Sequence, residues 1–166
     1  MGVPVKFRFA TPADQPILQQ IFHEAEVYYE GHNAPSRESI AAHVAKNVIP
    51  ALQRCEFLLA ECDGDVAGMA SFGQLYPAPN LGGQIQVKDI FIREGFRNRG
   101  VGRAIVQRLA ALAVERGCTR VDWTAETSNP QALEFYDRLG VPRVESKVYY
   151  RLEGDTLTAF AGGGKP

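Results

Sequence analysis

The chain has 166 residues, enough for one domain that buries roughly two-thirds of its unfolded surface without staples. Hydrophobic residues make up 45% and charged residues 22%, an ordinary soluble composition. A formal net charge of −1 gives no global pull toward nucleic acid or an anionic membrane, so any anion site must be local.

The first residues alternate, with Val5, Phe7 and Phe9 set against Lys6 and Arg8, a half-buried strand from Val5 to Ala10. Thr11-Pro12-Ala13-Asp14 is a helix start with a hydroxyl cap, proline in the first turn and an early acid. Ile17, Leu18, Ile21, Phe22 and Ala25 recur at helical spacing and carry that helix to about Tyr29. After the break Gly31 to Pro35, Ser36 caps a second helix with Ile40, Val44 and Val48 on one face, and Pro50 kinks or ends it. Glu56 to Cys62 and Val66 to Tyr76 are two strands around the hairpin turn Asp63-Gly64. A loop from Pro77 to Gly83 leads into a strand from Gln84 to Ile92. A basic, glycine-punctuated loop, Arg97 to Gly102, opens an amphipathic helix over Val101 to Arg116, stopped by Gly117. Arg120 to Glu126 is a strand. Asn129-Pro130 starts a short helix that Gly140 stops. Val144 to Leu152 is a last strand, and residues 162–166, Gly-Gly-Gly-Lys-Pro, are a flexible tail. Strands alternating with helices predict an α/β domain with a mixed sheet over residues 1–161.

Cys55, Cys62 and Cys118 form no close pair, which argues against a disulfide framework and for a reducing compartment. The N-terminal residues lack the charged and apolar runs of a signal peptide, and no apolar stretch approaches a membrane span. A cytoplasmic protein is expected. His23, His32 and His43 have no ligand spacing with an acid or cysteine, so no metal is expected.

Chemistry concentrates in Asp89-Ile90-Phe91-Ile92 followed by Arg97-Asn98-Arg99-Gly100-Val101-Gly102-Arg103. Two glycines one residue apart let the backbone approach a ligand. The first N–H groups of the helix then face an anion, aided by the helix dipole. Arg97, Arg99 and Arg103 surround that opening, which has the physics of a pyrophosphate cradle. It is not a Walker loop, because no Gly-Lys-Ser/Thr follows. It is not the dinucleotide fingerprint either, because Ile105 stands where the third glycine belongs. Taken alone, the loop fits a tight strand-to-helix turn with solvated arginines equally well.

With its surroundings, the chain resembles the GNAT superfamily of acyl-CoA-dependent N-acetyltransferases. Arg97-x-x-Gly100-x-Gly102 matches the family's loop signature, Asn129 and Tyr136 match its later asparagine and tyrosine, and the element order fits over almost the whole chain. The resemblance implies a GNAT-type mixed, mostly antiparallel central sheet flanked by helices, with acetyl-CoA as cosubstrate. It implies that Ile90, Phe91 and Ile92 pair with the pantetheine arm as an added strand does. Asn98, Arg99, Gly100, Val101, Gly102 and Arg103 hold the pyrophosphate, beside Arg97, and Asn129 contacts the cofactor near its thioester. Tyr136 protonates the leaving thiolate; read from the residues alone it is also a core aromatic, sharing a face with Leu133 and Leu139. A homodimer is the family expectation.

Within the superfamily, Val87 to Ile92, Asn129 to Tyr136 and Tyr150 to Gly154 resemble the diamine and polyamine acetyltransferase-like branch. That branch carries two successive acids where this chain has Lys88-Asp89, so the base needs fresh argument. Only a neutral amine attacks a thioester, and deprotonating an alkylammonium at neutral pH costs roughly 4–5 kcal/mol. Asp89 ranks first as the base, because it opens the cofactor strand. Glu126, and Glu30 with Tyr29, are further candidates at the acceptor, each fitting a solvated surface as well. Trp123 lines the acceptor pocket or sits in the core. A pleat puts Lys88 and Asp89 on opposite faces unless a bulge intervenes; Lys88 facing the site favours an acceptor with a carboxylate. The expected substrate is a small-molecule amine. The rival readings are a non-catalytic acyl-CoA-binding module, an acetyltransferase for a protein or antibiotic amine, and nucleic-acid binding through the three arginines, which the near-neutral charge disfavours.

Overall fold

The computed structural model describes residues 3–79 and 82–164. It divides into two units, Met1–Glu126 and Thr127–Pro166. Asn80 and Leu81 of the loop expected over Pro77 to Gly83, and Lys165 and Pro166 of the expected tail, lie outside the described residues.

In the first unit five strands form one sheet in chain order: β1 (Lys6–Phe9), β2 (Glu56–Cys62), β3 (Asp65–Ala78), β4 (Gly82–Ile92) and β5 (Cys118–Asp122). Neighbours are antiparallel except β4 and β5, which are parallel. The β2–β3 turn needs positive φ at both central residues, and Asp63 (55°) and Gly64 (87°) supply it. Between β1 and β2 come α1 (Gln15–Glu30), α2 (Arg37–His43), a π turn (Val44–Val48) and α3 (Ile49–Ala51). Ser36 caps α2, accepting from the Ser39 N–H at 3.2 Å. The expected kink at Pro50 takes the form of that π turn: a proline has no N–H for the ladder, and the wider turn just before it absorbs the defect. Between β4 and β5 lies α4 (Val101–Glu115).

Alternation along the strands sorts side chains to two faces. Leu58, Phe72, Ile85 and Val87 pack with Ile105, Leu109 and Leu112 of α4. Phe57, Leu59, Met69 and Phe91 pack with Leu18 and Ile21 of α1 and with Ile40, Val44 and Val48. These faces are called here the α4 face and the α1 face. Trp123, just past β5, packs on the α4 face.

The β5 strand begins at Cys118 and its ladder ends at Asp122, two residues earlier and four residues earlier than the expected Arg120 to Glu126. In the second unit, α5 (Pro130–Leu139) forms as expected, with Asn129 as its cap and Gly140 at φ 75° after it. The strand expected over Val144 to Leu152 is absent. Residues 141–153 carry no strand, and Tyr150 is 87% exposed. A strand needs a ladder partner, and the described residues of this unit contain none. An unexpected helix follows, α6 (Gly154–Ala161), and described residues 162–164 of the expected tail close its end, with the Gly164 N–H bonded to Ala159 O at 2.9 Å.

Candidate active site

The β4–β5 ladder stops at the pair Gln86–Asp122, while β4 runs on to Ile92. Residues 87–92 therefore pair with β3 on one side, and on the other no strand meets them among the described residues. Their free N–H and C=O groups need partners, and an extended chain with amide groups can supply them. Ile90, Phe91 and Ile92 lie on this open edge.

The strand end is fixed before the loop begins. Arg93 grips Glu24 of α1, its Nε 2.9 Å from Oε2, and donates to Val66 O at 3.0 Å. The Arg97 Nε donates back to Ile92 O at 3.0 Å, and its guanidinium lies 4.5 Å from the Tyr28 ring centroid and 5.8 Å from that of Phe91. Arg99 pairs with Asp63 of the β2–β3 turn and lies over Phe96. Two of the three arginines thus brace the loop, and Arg103 alone of them is exposed with no ion pair among the described residues. Asn98 (φ 59°) and Gly100 (φ 86°) turn the chain through the left-handed region, which is cheap for glycine. Gly100 is the N-cap of α4 and brings no side chain to cap it. The first bonded N–H is that of Ala104, to Gly100 O at 3.0 Å. The N–H groups of Val101, Gly102 and Arg103 point out of the helix start, an arrangement made for an anion.

Register explains the neighbouring acid. Phe72 pairs with Val87 and Ser71 with Asp89, so Lys88 is an extra residue in β4, a bulge. Val87 faces α4. After the bulge Ile90 and Ile92 face α4 again, while Asp89 joins Gln86 and Phe91 on the α1 face. Lys88 is exposed at the bulge and Asp89 half-buried. Burial pushes the Asp89 carboxyl above the usual range, opposed by the Lys88 charge and by the Ile90 N–H.

Other expected residues scatter. Tyr29 and Glu30 are exposed at the end of α1. Tyr28, which the sequence reading passed over, packs edge-on against Phe91 with centroids 6.2 Å apart. Its signal was present, since Ile21, Ala25 and Tyr28 share one helical stripe. Trp123 lies on the face opposite Asp89. Glu126 is exposed at the last position of the first unit. In the second unit, the Asn129 Oδ1 accepts from the Ala132 N–H at 3.1 Å, so the cap claims that oxygen. Tyr136 is half-buried, its ring 5.0 Å from that of Phe135.

Residues 18–141 match the model of the acetyltransferase (GNAT) family. The chain belongs to the GNAT family. It is 34% identical over 95 residues to L-ornithine N5-acetyltransferase of Arabidopsis thaliana, covering 57% of this chain and 42% of that protein. It is 30% identical over 98 residues to thialysine N-epsilon-acetyltransferase of Caenorhabditis elegans, covering 57% and 61%. The chain thus spans about half the length of the curated relatives it matches. An integron cassette protein from the mobile metagenome of V. cholerae has the same fold, with TM-score 0.88, 34% identity and coverage of 96% and 99%. The GNAT-type sheet, mixed and mostly antiparallel, is therefore established. No described helix is long and apolar enough to cross a membrane.

Proposed function

We propose that this GNAT protein is an acetyl-CoA-dependent N-acetyltransferase acting on a primary amine of a small molecule, diamine-, polyamine- or amino-acid-like, by direct attack with both substrates bound. The open edge of β4 running into the uncapped start of α4 carries this reading. One half suits an amide-bearing arm and the other a pyrophosphate, and acetyl-CoA has both at one spacing. When bound, it supplies an activated acetyl thioester. Residues 90–92 hold the arm, and residues 98–103 hold the phosphates by backbone N–H groups.

Asp89 takes the proton from the bound ammonium, directly or through water. Its raised pKa suits this role, since a stronger base near neutral pH serves better than an ordinary carboxylate. The bulge accounts for the missing acid at position 88: Lys88 is carried out of line while Asp89 keeps the α1 face. Tyr136 holds the proton that the departing thiolate needs, and the Asn129 Nδ2, which the cap does not use, meets the cofactor. Tyr29, Glu30 and Glu126 belong to the acceptor mouth on this reading, with Lys88 at its rim and Trp123 as backing from the core. The relatives acting on ornithine and thialysine support a small amine acceptor. The family match crosses from the first unit into the second, which supports one catalytic domain over residues 1–161. We further propose that the protein is cytoplasmic and a homodimer; light scattering of the purified protein checks the dimer.

The test is release of CoA from acetyl-CoA against diamines, polyamines, amino acids and aminoglycosides, with Tyr136→Phe in parallel. The expected result is turnover on one class of amine, falling about tenfold or more in the variant with unchanged acetyl-CoA affinity. Tight acetyl-CoA binding with no turnover on any amine overturns the reading in favour of a binding module.

A further inference from the structure

The α1 face of the sheet changes character along β3. Met69 and its partner Phe91 are roofed by the helices. The next row on that face is Ser71 beside Asp89, then Gly73 beside Gln86 and Asp122, then Leu75 beside Gln84 and Arg120. Leu75 is 49% exposed, so the face opens toward solvent as it runs away from the helices.

Three residues in these rows face the opening: Ser71, Gly73 and Gln86. Ser71 is only 5% exposed, and its hydroxyl is not among the fully buried side-chain atoms left without a partner in the described residues. Its side chain stands beside the half-buried Asp89 carboxyl, in the row where the helices stop covering the face. Gly73 weakens a strand interior, and nothing local demands it. Its φ lies outside the left-handed region, and a Cβ there would meet only Arg54 O, at 4.0 Å. Glycine at an uncrowded, unstrained position keeps space empty. The Gln86 Oε1 accepts from the Gln84 Nε2 at 3.2 Å, and the Gln84 Oε1 accepts in turn from the Arg120 Nε at 2.9 Å. This chain of bonds fixes the Gln86 amide through its oxygen and does not use its N–H groups.

We infer that Ser71, Gly73 and Gln86 form the acceptor trough of the enzyme and set its specificity for an ω-amino α-amino acid. This rests on the reading of Asp89 as the base. The reacting amine sits at Ser71 and Asp89, and the Ser71 oxygen accepts one of its N–H groups. The alkyl stem lies over Gly73. The far carboxylate accepts from the Gln86 amide, and the far ammonium faces the Asp122 carboxylate, which the Arg120 Nε holds at 3.0 Å. Rows two residues apart on one strand are roughly 7 Å apart. The five single bonds from the side-chain nitrogen of ornithine to its carboxyl carbon span about 6 Å.

The experiment measures L-ornithine binding calorimetrically in the presence of CoA, beside turnover of L-ornithine, putrescine and n-propylamine. Gly73→Val is expected to weaken L-ornithine about tenfold or more by filling the floor. CoA binding should stay unchanged, with a melting temperature at or above wild type, because valine favours a strand. Gln86→Leu is expected to weaken L-ornithine about tenfold while sparing putrescine, which has no carboxylate. Ser71→Ala should raise the KM of every amine. Failure of L-ornithine to bind the wild-type CoA complex overturns the inference. So does equal binding by wild type and Gly73→Val, or a loss shared with CoA. If L-ornithine binds, Gly73→Val weakens it and no amine is acetylated, the trough stands and the transferase reading falls.

Discussion

Replacing Asp89 by asparagine should move activity and stability in opposite directions, because one cause governs both. The carboxyl is half-buried, its ionised form is disfavoured, and its pKa is raised. For catalysis the raised value is useful. A primary ammonium with pKa near 10.4 is only about one part in 2,500 neutral at pH 7, a deficit of about 4.6 kcal/mol that the base must offset. Without Asp89, only amine already neutral in solution reacts. Asp89→Asn should then lose up to about 10³-fold in kcat/KM at pH 7 and regain about tenfold per pH unit toward pH 10. Wild type should instead show an acid limb set by Asp89, above the ordinary aspartate range. For stability the sign reverses. A carboxyl whose folded pKa is raised weakens the fold as pH rises from its unfolded value through its folded value. Asparagine, of equal size, removes that penalty, so the variant should equal or exceed wild type in urea titrations at pH 8, with the advantage shrinking at pH 4. Turnover within threefold of wild type at pH 7, or a flat pH profile in the variant, refutes the base assignment. A variant less stable than wild type at pH 8 refutes the burial argument.

Arg8 should matter through the opposite kind of shift. Its guanidinium holds Asp14 at 2.7 and 2.8 Å, and the Thr11 N–H adds a bond at 2.8 Å. Chiefly through Arg8, the Asp14 pKa is lowered from 3.8 to about 2. That stability is fully present above the ordinary aspartate value and lost as pH falls through about 2. Because the Arg8 side chain is 40% exposed, Arg8→Met should cost about 1–2 kcal/mol at pH 7 by urea titration, and the difference should shrink as pH falls toward and through about 2. Gly68→Ala should be worse for its size: the new Cβ would lie 2.6 Å from Phe91 O on β4. A loss of about 1–3 kcal/mol is expected, with reduced acetyl-CoA affinity in calorimetry as the cofactor strand shifts.

Most of the first unit was legible because its signals are local. Asp63-Gly64 needs two positive φ values, the α1 stripe repeats at 3.6, and Gly100 precedes a helix whose apolar face is unbroken. What was hidden depends on register. No pattern in Gln86 to Ile92 announces that Lys88 is the extra residue, since either Lys88 or Asp89 can be carried out of line; only pairing with Ser71 and Phe72 decides it. Arg97 and Arg99 read as free cations because their acceptors, Ile92 O and Asp63, come from a strand end and a distant turn. Val144 to Leu152 misled for a related reason. Its apolar residues have the composition of a strand, but composition cannot supply a ladder partner. Helix α6 was missed although Asp155 in its first turn and Gly162-Gly163 after its end are ordinary boundary signals; an expected strand and tail had claimed both flanks.

The bulge gives a last prediction, because it separates two roles that Lys88 could play. If Lys88 tunes Asp89 electrostatically, its charge lowers the pKa that burial raises, which is the direction found. Lys88→Glu then reverses the sign of that contribution and lifts the Asp89 pKa further. The acid limb of kcat/KM should move to higher pH, and activity at pH 6 should fall more than activity at pH 8. Stability should change little, since Lys88 is exposed at a position without a ladder partner. Lys88→Met should place the limb between wild type and Lys88→Glu. If Lys88 instead grips the carboxylate of the acceptor, both variants raise the KM of amino-acid acceptors and leave the limb where it was. The two roles therefore differ in which axis moves, and a limb that stays fixed in both variants removes Lys88 from the base and assigns it to the substrate.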